Sequence, residues 1–362
     1  MHKRIKSAIA GIVIILFFGW FAFSQTNFFP FLFQLLFNRG VNLKEFDGRV
    51  NILLLGISGQ KHEGPNLTDT IIFASINPSK NDVTLVSIPR DLWVPDISAK
   101  INSVYATSEG SKKGTGLTVI EKTVSKILNQ PIGYGVRLNF DGFVQAVDLV
   151  GGLDVDIDRT FDDFEYPIDG KENDPCGHKN EELVSLATSS SQLKEFPCRY
   201  RQIHFDKGRA HLDGNKALEY VRSRHAQGDE GTDFARSRRQ EKVIKAFRDK
   251  IFSLQTVINP ARFISLYAIL KGNIDTDIKQ TEMDDFVRLS QKMKNTKIKT
   301  AVIDFGDNEK KRAGLLINPP IASTYNFQWV LIPRIGNGNF QEIQGYIDCE
   351  ITLGGCSTSA LP

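Results

Sequence analysis

The pattern of apolar and polar positions divides the chain before any motif does. After His2, Lys3, Arg4 and Lys6 comes an apolar run from Ala8 to Phe23, and no charge returns until Arg39. A bilayer core of about 30 Å takes about 20 such residues, so residues 1–25 are expected to be a short basic tail and an uncleaved transmembrane helix. Basic residues ahead of the span place the tail in the cytoplasm and everything after it outside the cell membrane. The run is long for a cleavable signal, and Ser24-Gln25-Thr26 is a poor cleavage site. Residues 26–47 read as a juxtamembrane linker.

From residue 48 onward the pattern becomes that of a folded domain. Val50–Gly56 is a continuous apolar run of strand length, and Thr70–Asn77 and Val83–Pro89 are rich in β-branched residues. The turn cluster Asn77–Asp82 is short enough to force an antiparallel hairpin between the last two. If the first strand also runs antiparallel to the second, one sheet edge gathers Ser58, Asp69, Arg90 and Asp91. Gly116–Asn129 has helical spacing, with Leu117, Ile120, Val124, Ile127 and Leu128 on one face. Residues 134–158 alternate strand, helix and strand, broken at Gly151-Gly152. Residues 162–200 are a polar, serine-rich excursion. Asp213 is placed to cap a helix carrying Ala217 and Leu218, and Ala235 begins another with Val243, Ile244, Phe247 and Ile251 on its buried face.

The net charge of +3 is too small for a protein that coats nucleic acid. The basic signal is local. Val221 to Gln240 holds Arg222, Arg224, Arg236, Arg238 and Arg239, together with His225, Asp229, Glu230 and Asp233. Arginine keeps its charge and its planar fork matches phosphate oxygens in pairs, so the cluster suits a multiply charged anion. Arg236, Arg239 and Gln240 stand at i, i+3 and i+4, which puts them on one helix face. Arg222 and Arg224 share a face if their segment is extended. A solvated helix end salt-bridged to its own acids is the plainer reading. Arg90 and Asp91 follow a buried strand and either form a site or close a turn. Asp69 opens a strand, where an aspartate serves as a cap or a metal ligand. His62, Glu63, Lys100 and Asn102 are further polar candidates. The Gly-rich loop at 56–66 lacks the P-loop pattern, and neither a G-x-S-x-G elbow nor an HExxH motif is present.

Four cysteines fit an oxidising compartment, with Cys176–Cys198 and Cys349–Cys356 as plausible local disulfides. Their spacing lacks the tight His/Cys pattern of a zinc site.

Taken in order, NILLLGI (51–57), TDTIIFASINP (68–78), VTLVSIPRDLWVP (83–95), KINSVYA (100–106), NFDGFVQAVDLVGGLDVDID (139–158), HLDGNKALEYVRSRH (211–225) and DFARSRRQ (233–240) resemble the LytR-CpsA-Psr family of membrane-anchored cell-wall ligases. The likeness is close over 48–250 and extends to about 348, leaving 349–362 as a tail. It implies an α/β/α domain with a central mixed sheet and a pocket for a polyprenyl chain. It also implies transfer of a glycopolymer phosphate from an undecaprenyl-pyrophosphate carrier to the C6 hydroxyl of muramic acid in peptidoglycan. Arg90, Arg222, Arg224, Arg236, Arg239 and Gln240 would then hold the pyrophosphate. Asp69 would bind Mg²⁺, and Asp91 would orient Arg90 or assist the acceptor. The sequence departs from the family pattern at Ser58, where an aspartate is usual, and at Leu67, where an arginine is usual. A lipid pyrophosphatase, or a non-catalytic tethered binder or regulator of anionic wall polymer, are the alternative functions. An outward-facing domain makes nucleic acid a poor partner.

Overall fold

The computed structural model describes residues 41–60, 64–179, 181, 183, 192–251, 272–293, 296–307 and 312–358. The expected membrane span, His62 and Glu63 lie outside these. Among the described residues no helix is long and apolar enough to cross a membrane.

The inner strands of the sheet are built as the strand pattern predicts, and Ile274–Thr276 and Ile298–Val302 at its edges are additions to it. β1 (Val50–Ile57) pairs antiparallel with β2 (Thr68–Asn77), which turns back into β3 (Asp82–Ser87). A ribbon of Trp93–Val94 (β4) and Ala99–Lys100 (β5) leads into α1 (Asn102–Ser111) and α2 (Gly116–Leu128). β6 (Tyr134–Asn139) then lies parallel to β1, and α3 (Phe140–Leu149) starts where the Asn139 side chain accepts from Gly142 N. β7 (Leu153–Ile157), β8 (Phe161–Pro167), β9 (Tyr200–Phe205) and β10 (Gly208–Leu212) form two ribbons, β7 with β10 and β8 with β9. α4 (Gly214–Arg222) is capped by Asp213, and α5 (Asp233–Ile251) follows. β11 (Ile274–Thr276), α6 (Met283–Lys292), β12 (Ile298–Val302) and α7 (Gln341–Thr352) complete the main elements. The described central sheet has the order β11-β6-β1-β2-β3-β12 and is mixed, because β6 and β12 run parallel to their inner neighbours.

Alternation along the inner strands sorts their side chains into two layers. Leu53, Leu55, Ile71, Phe73 and Val86 face α1, α2 and α7, whereas Ile52, Ile72, Ala74 and Leu85 face α6 and Ile244 of α5. The result is the expected α/β/α arrangement. A separate core joins α3, α4, α5 and the two ribbons around Val147, Phe161, Phe205, Tyr220 and Val243.

Both expected edges of the domain move outward. Leu43 is buried, and Lys44 N donates to Tyr134 Oη at 2.8 Å while its Nζ donates to Gly133 O at 2.7 Å, so residues 41–47 belong to the domain and not to a linker. The boundary expected at 348 falls inside α7, whose Ile343, Ile347 and Ile351 are core residues. The helix expected to close the chain runs a turn further than its sequence suggests, because its last apolar residue, Ile351, packs into the core with α2 and the sheet.

Candidate active site

The antiparallel β1, β2 and β3 bring the end of β1, the start of β2 and the loop after β3 to one sheet end. Ser58, Asp69 and Arg90 meet there, and they line a cavity of about 330 Å³. Its other walls include Phe140 at the start of α3, Glu165 to Pro167 of β8, Tyr200 of β9, Arg222 at the end of α4, Arg224 and His225 after it, and Arg236 and Gln240 of α5. Segments far apart in sequence therefore converge, and four arginines share one opening.

Arg90 Nη1 donates to Asp69 Oδ1 at 2.5 Å, and its Nε lies 3.4 Å from Asp91 Oδ2. Burial pulls the Arg90 pKa down, but the Asp69 and Asp91 carboxylates outweigh it and leave it raised. Asp91 does not line the cavity. It accepts from Lys100 Nζ at 2.8 Å and so holds Arg90 from behind. Lys100 and Asn102 are structural here: Asn102 N donates to Arg90 O at 3.2 Å, and Asn102 O accepts from Thr68 Oγ1.

Arg222 is the last residue of α4, so the condition of an extended segment is not met, yet both it and Arg224 line the cavity. Its guanidinium lies over Phe140, 4.4 Å from the ring centroid, and 5.4 Å from that of Tyr166. Its Nη1 donates to Asp169 Oδ1 at 3.2 Å. Burial pushes the Tyr166 phenol up to about 12, so the cavity wall beside Arg222 carries a neutral hydroxyl.

Arg239 is not in the cavity, which corrects its expected role as a pyrophosphate ligand. Its side chain is 2% exposed, and it donates to Tyr220 O, Ser223 O, Glu230 O and Glu230 Oε2 at 2.7–2.9 Å. The reason is helical geometry. At about 100° per residue, positions 239 and 240 point about 100° apart, so Gln240 can share the face of Arg236 while Arg239 turns inward. Gln240 Nε2 donates to Thr70 Oγ1 at 3.3 Å, joining α5 to β2.

Asp163 carried no signal in the sequence because it lies in a polar stretch. It is buried, and its Oδ2 accepts from Ser223 Oγ at 2.7 Å, Arg224 N at 3.1 Å and His225 N at 3.2 Å. Arg239 grips the same turn through Ser223 O, so the backbone that presents Arg222 and Arg224 is fixed from two sides. Both expected disulfides, Cys176–Cys198 and Cys349–Cys356, are formed. The first staples the excursion between β8 and β9 that brings Glu172 to the cavity.

Ser58 Oγ is buried without a hydrogen-bond partner and lines the cavity with Asp69. Among the described residues, no group of three metal-ligating side chains occurs around Asp69. One carboxylate and one unsatisfied hydroxyl suit a hard cation that keeps waters and shares phosphate oxygens, as Mg²⁺ does. The departure at Ser58 thus leaves an oxygen where the family pattern has a carboxylate.

Comparison with known proteins agrees with this architecture. A Bacillus cereus protein named polyisoprenyl-teichoic acid–peptidoglycan teichoic acid transferase TagU is 29% identical over 240 residues, covering 65% of this chain and 62% of the relative. The chain therefore spans a little under two thirds of that relative's length. The crystal structure of Bacillus subtilis TagV superposes with a TM-score of 0.52 at 25% identity, covering 85% of this chain and 98% of that one. The structure of Lin1025 from Listeria innocua, at 23% identity, has a TM-score of 0.54 over 84% of this chain and 99% of that one, and so shares the fold. With residues 36–317 matching the family pattern, the chain belongs to the LytR_cpsA_psr family.

Proposed function

We propose that the protein transfers a glycopolymer phosphate from an undecaprenyl-pyrophosphate carrier to peptidoglycan, at the C6 hydroxyl of muramic acid. The observation that carries this reading is the convergence of Arg90, Arg222, Arg224 and Arg236 on one cavity. The named activity of the TagU relative supports the same class of reaction. The acceptor oxygen attacks the phosphorus bearing the glycan, the bond to the prenyl-phosphate oxygen breaks, and the hydroxyl proton leaves to water. Prenyl phosphate departs and a phosphodiester forms. Negative charge grows on the leaving oxygen, and arginines already fixed by Asp69, Asp91, Asp163 and Arg239 meet it without reorganising. Asp69 and Ser58 would hold Mg²⁺, which would supply further charge neutralisation at the phosphates. The two disulfides support an extracytoplasmic domain, which the basic N-terminal tail would orient as a single-pass protein of the cell membrane.

The test is product analysis with purified full-length protein, Mg²⁺ and a lipid-linked donor, with and without peptidoglycan. Transfer predicts glycan phosphate bound to peptidoglycan, lost on chelation of the metal. Release of free glycan phosphate whether or not acceptor is present would make the protein a lipid pyrophosphatase. Binding of donor with no turnover at any metal concentration would make it a tethered binder.

A further inference from the structure

We infer that Gly314–Pro333 forms a lipid-facing surface that seats the catalytic end of the domain on the membrane. The stretch contains no charged residue and no histidine. Most of it lies beyond residue 317, where the family match ends. Its inner residues Leu315, Leu316, Val330, Leu331 and Ile332 are buried, and Leu316–Ile317 (β13) pairs with Ile332–Pro333 (β14). Its outer residues are also apolar: Ile317 is 44% exposed, Ile321 63%, Phe327 73% and Trp329 46%. Folding does not require these outer side chains to be apolar, since the inner ones already fill the core. A surplus of this kind in one uncharged stretch marks a contact with an apolar partner.

The surface is tied to the catalytic end. Leu331 N donates to Asp91 O at 2.9 Å, Trp93 N donates to Leu331 O at 2.8 Å, and Tyr325 packs edge-on against Trp93. Leu331 and the half-exposed Phe305 border a small cleft that Asp69, Arg236 and Gln240 also line. Leu331 thus links this stretch to the wall of the arginine site.

Two observations favour lipid over a sugar polymer. Isoleucines stand among the aromatic residues, whereas a sugar stacks on flat rings. The absence of charge disfavours an anionic polymer. Trp and Phe beside aliphatic residues suit the boundary between headgroups and acyl chains. The choice also rests on the donor proposed above, whose pyrophosphate sits at headgroup level and must reach Arg90 and Arg236.

The chain has three tryptophans, of which Trp93 is buried. Full-length Trp20→Phe protein is reconstituted in phosphatidylcholine vesicles with plain or brominated acyl chains, and tryptophan emission is measured without donor. Quenching by brominated lipid that disappears on adding Trp329→Phe supports the inference. Equal emission in the two vesicle types overturns it. A Trp329 response to muropeptide glycan or to protein concentration, but not to brominated lipid, assigns the surface to those partners and also overturns it. In a second arm, Ile321→Asp with Phe327→Asp lowers turnover of vesicle-borne donor about tenfold, as loss of interfacial apolar contact would. Turnover of a short-prenyl donor free in water should be unaffected, and equal loss on both donors counts against the inference. The quenching requires no turnover, so failure of the transferase reading is seen separately.

Discussion

Arg236 and Arg239 stand three positions apart on α5 and serve different ends. Arg236 lines the cavity, whereas Arg239 is enclosed by Tyr220 O, Ser223 O and Glu230. Burial lowers the Arg239 pKa against the pull of Glu230, but an arginine has ample range to remain charged. Arg236→Ala is expected to reduce turnover about 10²–10³-fold, as loss of one preorganised donor to a developing charge does, with little change in Tm. Arg239→Ala leaves Glu230 buried without its partner and should cost about 3–5 kcal/mol of stability. Thermal denaturation and turnover measured on both variants separate the two roles. An Arg239→Ala protein as stable as wild type would refute the structural role given to the buried pair. The composition of the arginine cluster was legible in the sequence. Which members face the cavity was not, because both sit in the same polar run and only the contacts around α5 distinguish them.

At the scale of elements, α2 and β11 meet at a group of acids that the proposed chemistry does not use. Glu121 of α2 has Oε1 buried without a hydrogen-bond partner, and a side chain at Gly135 would place its Cβ 2.1 Å from that atom. Burial first, then Asp277 and Asp275, pushes the Glu121 pKa from 4.5 to about 7, with Lys44 opposing. The folded state therefore favours protonated Glu121 more than the unfolded chain does. Relative to the protonated form, this group costs nothing below pH 4.5, and its cost grows as pH rises to about 7. Glu121→Gln should remove that slope and raise stability above pH 7 by about 1–2 kcal/mol, a figure already reduced for solvent screening. Urea denaturation across the pH range checks this, and parallel curves for variant and wild type would refute it. The helix α2 itself was readable from its spacing. Its acidic neighbours were not, since β11 follows β6 by more than a hundred residues in sequence.

For the whole molecule, the far C-terminal segment decides more than its position suggests. α7 buries Ile343, Tyr346, Ile347 and Ile351 against the same core as α2, and Arg334 forms a two-pronged pair with Glu342 at 2.6 and 2.9 Å. Four such side chains contribute roughly 6–12 kcal/mol at 1.5–3 kcal/mol each, comparable to the whole stability of about 5–15 kcal/mol of a typical domain. A chain ending at Phe340 should lose its cooperative unfolding transition by circular dichroism, and a retained transition would show that α7 is dispensable. By itself, the sequence determined the first three strands, β6, β7, the hairpin, α2, the capped start of α4, the disulfide partners and the family, because each rests on local periodicity, turn chemistry or an ordered set of short motifs; β8 and β9, inside or beside the polar excursion, were not legible. Local rules also reached the rim of Ser58, Asp69 and Arg90, since two antiparallel turns fix where strand ends meet. Only the tertiary structure decided that Arg239 turns inward, that Asp163 anchors the Arg222–Arg224 turn, and that residues 41–47 and the last turn of α7 belong to the domain. Each of those outcomes depends on which surfaces distant segments bury against one another, and that is set by packing across the fold and not by the spacing of residues along the chain.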